Sequence, residues 1–172
     1  IQEYSAQPES FKEYFIKLWK HKVLIWVFAK RDLKVKYAQT FLGISWSILQ
    51  PLTALLIFSF FFAYILKWDA DGLPYTLHVL SGLLGWNFFN YVVYSGMSSV
   101  QESSHLIRKI YFPKSILPFS KVVVAGVELL LSFLILIPLM IYHGQMISWK
   151  IVFMPFLLIF NALVGLMLVF WV

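Results

Sequence analysis

The sequence predicts an all-α, polytopic bundle of transmembrane helices, preceded by an amphipathic interface helix and interrupted by one short helix in a connecting loop. Three observations carry that expectation. The residues are 60% hydrophobic and 13% charged, where soluble domains average about 45–50% apolar and about 25% charged residues. Long stretches of the chain are free or nearly free of charge, and the basic residues gather in alternate connections between them. A water-soluble fold of 172 residues has no place to hide so much apolar surface.

The first segment, residues 1–39, reads as a cytoplasmic or interfacial helix. Ser10 and Glu13 have capping-box spacing. Phe11, Tyr14, Phe15, Leu18, Trp19, Val23, Trp26 and Val27 recur at three- and four-residue intervals, with Lys12, Lys17, Lys20 and His21 on the other face. A Lys-rich amphipathic helix with aromatics on its apolar side suits the headgroup layer of a membrane. The same pattern fits a plain topological anchor and a helix that gates or contacts a partner.

Residues 40–172 form the transmembrane domain, since a bilayer core about 30 Å thick needs about 20 apolar helical residues. Four spans are expected, at about 41–66, 76–100, 122–142 and 151–172. Phe41–Leu66 and Gly72–Gln101 carry no Lys, Arg, Asp or Glu, Val122–Tyr142 carries only Glu128, and Ile151–Val172 carries none. The chain opens on Ile1 and ends at Val172 within an apolar run, so further sequence is expected at both ends. No signal peptide is visible at the start.

Charge placement gives the orientation. Residues 1–39 hold eight Lys and Arg and residues 101–121 hold four, while Lys67 and Lys150 stand alone in the other two connections. Cytoplasmic loops carry such an excess, which puts the amino terminus in the cytoplasm. Tyr37 and Trp46 near one interface, and Trp68, Tyr75, Tyr142 and Trp149 near the other, match the aromatic belts. The net charge of +6 therefore points to a membrane surface and not to nucleic acid.

The spans carry few polar groups. Gln50 and Pro51 lie in the first, where a proline kink is tolerated if neighbours supply partners. In the second, Asn87, Tyr91, Tyr94 and Ser98 fall at intervals of four, three and four with Asn90 alongside. Amides and aromatic faces on one stripe suit sugar rings, which offer apolar C–H faces and hydroxyl edges. Packing by polar groups and small residues such as Gly82, Gly85 and Gly96 explains any single one of them equally well. Glu128 is the only formal charge inside a span, about 10 Å beyond Lys121 at 1.5 Å per residue. Such a residue faces the bundle or a cavity, or snorkels to the interface.

The connection 102–118 is too apolar for a simple loop. Ser103 or Ser104 caps and Pro113 ends a predicted helix of about two turns that presents Leu106, Ile107, Ile110, Tyr111 and Phe112 beside Arg108 and Lys109. Such an apolar and basic knob is either a docking surface for another protein or an interfacial turn. Enzyme motifs are scarce. Asp69 and Asp71 belong to the predicted outer loop, and His21, His78, His105 and His143 lack zinc-site spacing. There is no cysteine and no P-loop, so the chain has no thiolate metal site and does not cradle ATP phosphates in the P-loop manner.

Three ordered stretches resemble the polysaccharide-exporting branch of the ABC-2 permeases, which serves O-antigen, capsule and teichoic acid. They are Asp32–Tyr37 leading into Thr40–Gly43, Trp46 and Leu49–Pro51; Gly82–Leu84 with Trp86–Phe89; and Leu106–Pro113. The resemblance implies a permease subunit without enzymatic activity or cofactor of its own, in the bacterial inner membrane, exporting a lipid-linked polysaccharide. It further implies six spans in the whole protein, a homodimer, and a separate nucleotide-binding subunit that binds ATP and Mg. The connection at 102–118 becomes a cytoplasmic coupling helix, with Ile107, Arg108, Lys109, Ile110 and Tyr111 as ATPase contacts. Gln50, Asn87, Asn90, Tyr91, Tyr94 and Ser98 become candidate lining of the substrate channel. His105 and Gly85 depart from the Asn and Pro common at those places in the family. Export of a smaller lipid or drug, or an integral-membrane enzyme acting on lipid-linked sugars, are the alternatives.

Overall fold

The computed structural model of the chain describes residues 16, 18–38, 43–65, 74–103, 112–145 and 148–171. Among the described residues five α-helices follow one another: α1 Lys22–Ala38, α2 Trp46–Phe58, α3 Tyr75–Glu102, α4 Ile116–Tyr142 and α5 Met154–Trp171. A 3-10 turn, Gly43–Ser45, precedes α2; a π-helical segment, Ser59–Ile65, follows it; and 3-10 residues Trp149–Phe153 lead into α5. No strand occurs among the described residues.

Among the described residues two stretches, Ile116–Tyr142 and Ile151–Trp171, are long and apolar enough to cross a membrane. Helix α3 has 28 residues, about 42 Å at 1.5 Å each, but its amides, serines and glycines dilute its apolar character. Ile48–Phe62 is a shorter apolar helix. Gly43, which opens the 3-10 turn into α2, has a φ of 52°, costly for other residues.

Helix α4 begins six residues before the expected start of its span. Lys121 ends the apolar run in the sequence, yet it is buried within the helix because an acidic partner meets it there. Pro118, expected in the preceding connection, sits in the first turn of α4, where a missing N–H removes no intrahelical bond. Hydroxyls along the helices donate to their own backbone: Thr53 to the Leu49 carbonyl, Ser99 to Gly96, Ser120 to Leu117 and Ser132 to Glu128. Each polar side chain is thereby satisfied without water.

The main core joins α2, α3, α4 and α5 through Leu55, Leu80, Leu84, Phe88, Val92, Ala125, Leu129, Ala162 and Leu166. Helices α3 and α4 form its most extensive pair. Helices α3 and α5 meet through two reciprocal notches. An added Cβ on Gly96 would lie 2.7 Å from Val169 Cγ2, and one on Gly165 would lie 2.9 Å from Val92 Cγ1. Residue numbers rise together along both helices at this contact, so α3 and α5 run in the same sense. Gly96→Ala is expected to cost about 1–3 kcal/mol in crowding, offset by about 1 kcal/mol of helix propensity. A lower heat-unfolding midpoint in detergent, restored by adding Val169→Ala, is the expected result.

Helix α1 packs through a smaller cluster in which Leu18, Phe112, Ile116 and Leu117 are buried, with Ile25 and Phe28 against them. The Phe28 and Phe112 rings lie 5.6 Å apart. Of the apolar stripe read from the sequence, Leu18 alone among the described residues makes this contact: Trp19, Val23, Trp26 and Val27 are all exposed. The buried face of α1 lies on its other side, at Ala29 and Asp32, and the tryptophan face points outward.

Candidate functional site

Intramembrane polar groups gather only when the helices that carry them bring them to a common point, and here four elements do so. A cavity of about 190 Å³ is lined by residues from α1, α2, α3 and α4. Five of the residues expected to line a channel meet there: Gln50 from α2, and Asn87, Asn90, Tyr91 and Tyr94 from α3. Glu128 of α4 joins them. The side chains of Asn87, Asn90 and Gln50 are exposed, as is Tyr94, while Tyr91 is half-buried. Ser98 does not reach this cavity. It lines a second one, of about 540 Å³, with Gln101, Lys114 and Val169.

The three helices reach this point for local reasons. Pro51 is buried against the cavity beside the exposed Gln50, and its ring leaves one backbone hydrogen bond of the helix unmade. On α3 the four- and three-residue steps hold Asn87, Tyr91 and Tyr94 on one side, while Leu84, Phe88 and Val92 turn into the core. On α4, Glu128 is followed one turn later by Ser132, whose hydroxyl donates to the Glu128 carbonyl 2.9 Å away.

Electrostatics explain how a carboxylate is held at this depth. The Lys36 ammonium of α1 donates to Glu128 Oε1 and also lies 4.8 Å from the centre of the Tyr91 ring. A paired charge with an aromatic face beside it escapes most of the cost of a lone intramembrane acid. One turn earlier on α1, Asp32 Oδ2 lies 2.8 Å from Lys121 Nζ, and Glu102 of α3 stands 3.8 Å from the same ammonium. Arg31 closes the network at 2.8 Å from the other Asp32 oxygen. The order of charges on α1 is negative then positive, and on α4 positive then negative.

Lys36 is a cavity-lining residue that sequence patterning passed over, because it stands among several lysines that satisfy the orientation rule together. The signal was present in the spacing. Asp32 and Lys36 are four apart on α1, Lys121 and Glu128 seven apart on α4, and both steps keep one face. Trp46, read as a belt aromatic, also lines the cavity. The expected ATPase contacts Ile107, Arg108, Lys109, Ile110 and Tyr111 lie outside the described residues, as do Asp69 and Asp71. Among the described residues no group of three or more His, Asp or Glu side chains is placed to hold a metal ion.

An amide- and aromatic-lined cavity with its one carboxylate compensated offers hydrogen bonds and flat apolar faces to a ligand. At about 190 Å³ it is smaller than the roughly 300–1,000 Å³ that encloses drug-sized ligands, and so admits a short part of a longer molecule.

Comparison with known proteins places this site in context. The chain is 30% identical over 138 residues to the O-antigen export system permease protein RfbA of Myxococcus xanthus, covering 80% of this chain and 52% of that protein. Two proteins of the same description from Klebsiella pneumoniae are 30% and 28% identical over 128 residues, 73% of this chain and 49% of theirs. The chain thus spans about half the length of the curated relatives it matches. No family model matches it, and no solved structure does.

Proposed function

From homology to the O-antigen export permeases, we propose that the chain is the permease part of an ABC-2 exporter that carries a lipid-linked polysaccharide out of the cytoplasm. The observation that carries the sugar reading is the polar cavity, where Gln50, Asn87, Asn90 and Tyr94 present amides and an aromatic face inside an otherwise apolar chain. A sugar ring passing here exchanges hydrogen bonds with the amides and stacks its C–H face on the rings. Because successive sugars are alike, a small cavity that grips one unit serves a long polymer.

The proposed setting is the bacterial inner membrane, with the amino terminus in the cytoplasm and four spans in this chain. The same-sense run of α3 and α5 supports alternate crossing directions, since second and fourth spans must point the same way. Helix α1 is the interfacial element, its Trp19 and Trp26 face turned to lipid headgroups. ATP and Mg bind a separate nucleotide-binding subunit, which docks on 107–111, and a second copy of the chain completes the channel.

Alanine at both Asn87 and Tyr94 is expected to lower glycan export at least tenfold while the protein still assembles with its ATPase. Export is read from surface glycan and assembly from co-purification. Unchanged export would overturn the sugar-path assignment. Loss of a small lipid or drug substrate instead would favour the alternative cargo.

A further inference from the structure

The polar cavity draws one of its lining residues from a helix outside the main core. Lys36 belongs to α1, which packs on the amino-terminal end of α4 through the smaller apolar cluster. Its other side is exposed. Two ion pairs fix α1 along α4, and they differ in burial. In the Asp32–Lys121 pair the side chains are 12% and 9% exposed; in the Lys36–Glu128 pair they are 35% and 22% exposed. A buried pair opens reluctantly because either charge left alone is stranded in a low dielectric, whereas a half-exposed pair exchanges with water.

The order of charges makes the position of α1 discrete. If α1 slid by one turn toward the start of α4, Lys36 would approach Lys121 in place of Glu128. If it slid the other way, Asp32 would approach Glu128. Either slip sets like charges together, so the seat of α1 is one position and not a continuum. Tyr91 offers the Lys36 ammonium an aromatic face within the same site. Gly43, in the left-handed region, opens the 3-10 turn that leads into α2.

We propose that Lys36 is the access-determining residue of the cavity: α1 is a strap across it, pivoted on Asp32–Lys121 and latched by Lys36–Glu128. Release of the latch swings the carboxyl-terminal half of α1 off the cavity and admits water and solutes, while the pivot keeps the helix attached. Glu128 is thereby a positioning residue that acts through Lys36. The inference concerns access to the cavity and holds whichever solute the cavity carries.

The chain has no cysteine, so a single introduced thiol reports without background. Ser132 lines the cavity and is buried, and Ser99 is buried in α3 without lining it. Full-length protein carrying Ser132→Cys, reconstituted in lipid nanodiscs, is treated with a small uncharged thiosulfonate and the labelling rate is read by mass spectrometry. Adding Lys36→Met is expected to raise the rate at least tenfold, and the exchanged pair Lys36→Glu with Glu128→Lys to bring it back toward the parent value. The Ser99→Cys reporter is expected to stay unreactive in all backgrounds. An unchanged Ser132→Cys rate in Lys36→Met overturns the proposal, as does a rise that the exchanged pair fails to reverse. Simultaneous exposure of Ser99→Cys overturns it too, because the bundle would then be opening as a whole. Glycan export is not part of the readout, so failure here leaves the transport reading untouched.

Discussion

Lys121→Met is expected to destabilise the folded chain by about 3–5 kcal/mol, the cost of removing one partner from a buried ion pair. Lys121 is the junction of three helices. Its ammonium sits 2.8 Å from Asp32 of α1 and 3.8 Å from Glu102 of α3 while belonging to α4 itself. Methionine fills the same volume but leaves two carboxylates facing each other with only Arg31 to compensate Asp32. The heat-unfolding midpoint in detergent should fall sharply, and Asp32→Asn added to Lys121→Met should recover much of the loss. A midpoint unchanged by the single substitution would show that the network contributes no stability.

Ile110→Asp is expected to abolish association with the nucleotide-binding subunit while leaving the protein in the membrane at normal abundance. The residue lies outside the described part of the structure, and the expectation rests on the apolar and basic sequence from Leu106 to Phe112. A docking knob that loses its central apolar side chain to a carboxylate both forfeits burial and must bury a charge, a change that costs interfaces several kcal/mol. Co-purification from native membranes reads it directly. Retained association would move the docking site elsewhere on the cytoplasmic face.

Much of the helical organisation was legible because apolar runs and helices coincide where lipid is the solvent. The spans expected at about 76–100 and about 122–142 each lie within one continuous helix. The boundary near Lys121 was not legible. A charge ends an apolar run on paper, but it does not end a helix when a partner 89 residues earlier neutralises it. The first predicted span shows a similar gap between composition and conformation: an unbroken apolar run contains a 3-10 turn, an α-helix that holds Pro51 and a π-helical segment.

The stripe of Asn87, Tyr91 and Tyr94 was readable from spacing alone, since residues on one helix need no knowledge of any other. Its companions were not. That Gln50, Glu128 and Lys36 share a cavity with it depends on how α1, α2 and α4 are set against α3, and no local pattern encodes that arrangement. Helix α1 gives the plainest lesson. Its most obvious apolar residues, Val23, Trp26 and Val27, are exposed, and its packed face is made of Ile25, Phe28 and Ala29. In water an apolar stripe must find protein; beside a bilayer it has a second place to go.

The 92 residues that separate Lys36 from Glu128 also set a schedule for biogenesis. At about 5–20 residues per second, Lys36 leaves the ribosome roughly 5–18 s before Glu128. Through that interval α1 carries an acid and several lysines whose partners have not been made, and it has no bundle to pack on. On the interfacial placement proposed for α1, its outward tryptophan face gives the nascent helix somewhere to wait, on the surface of the bilayer into which the later helices would insert. When α4 arrives, Lys121 and Glu128 reach α1 in the order in which Asp32 and Lys36 were laid down. The last step of folding is then the recruitment of a helix already parked beside its destination.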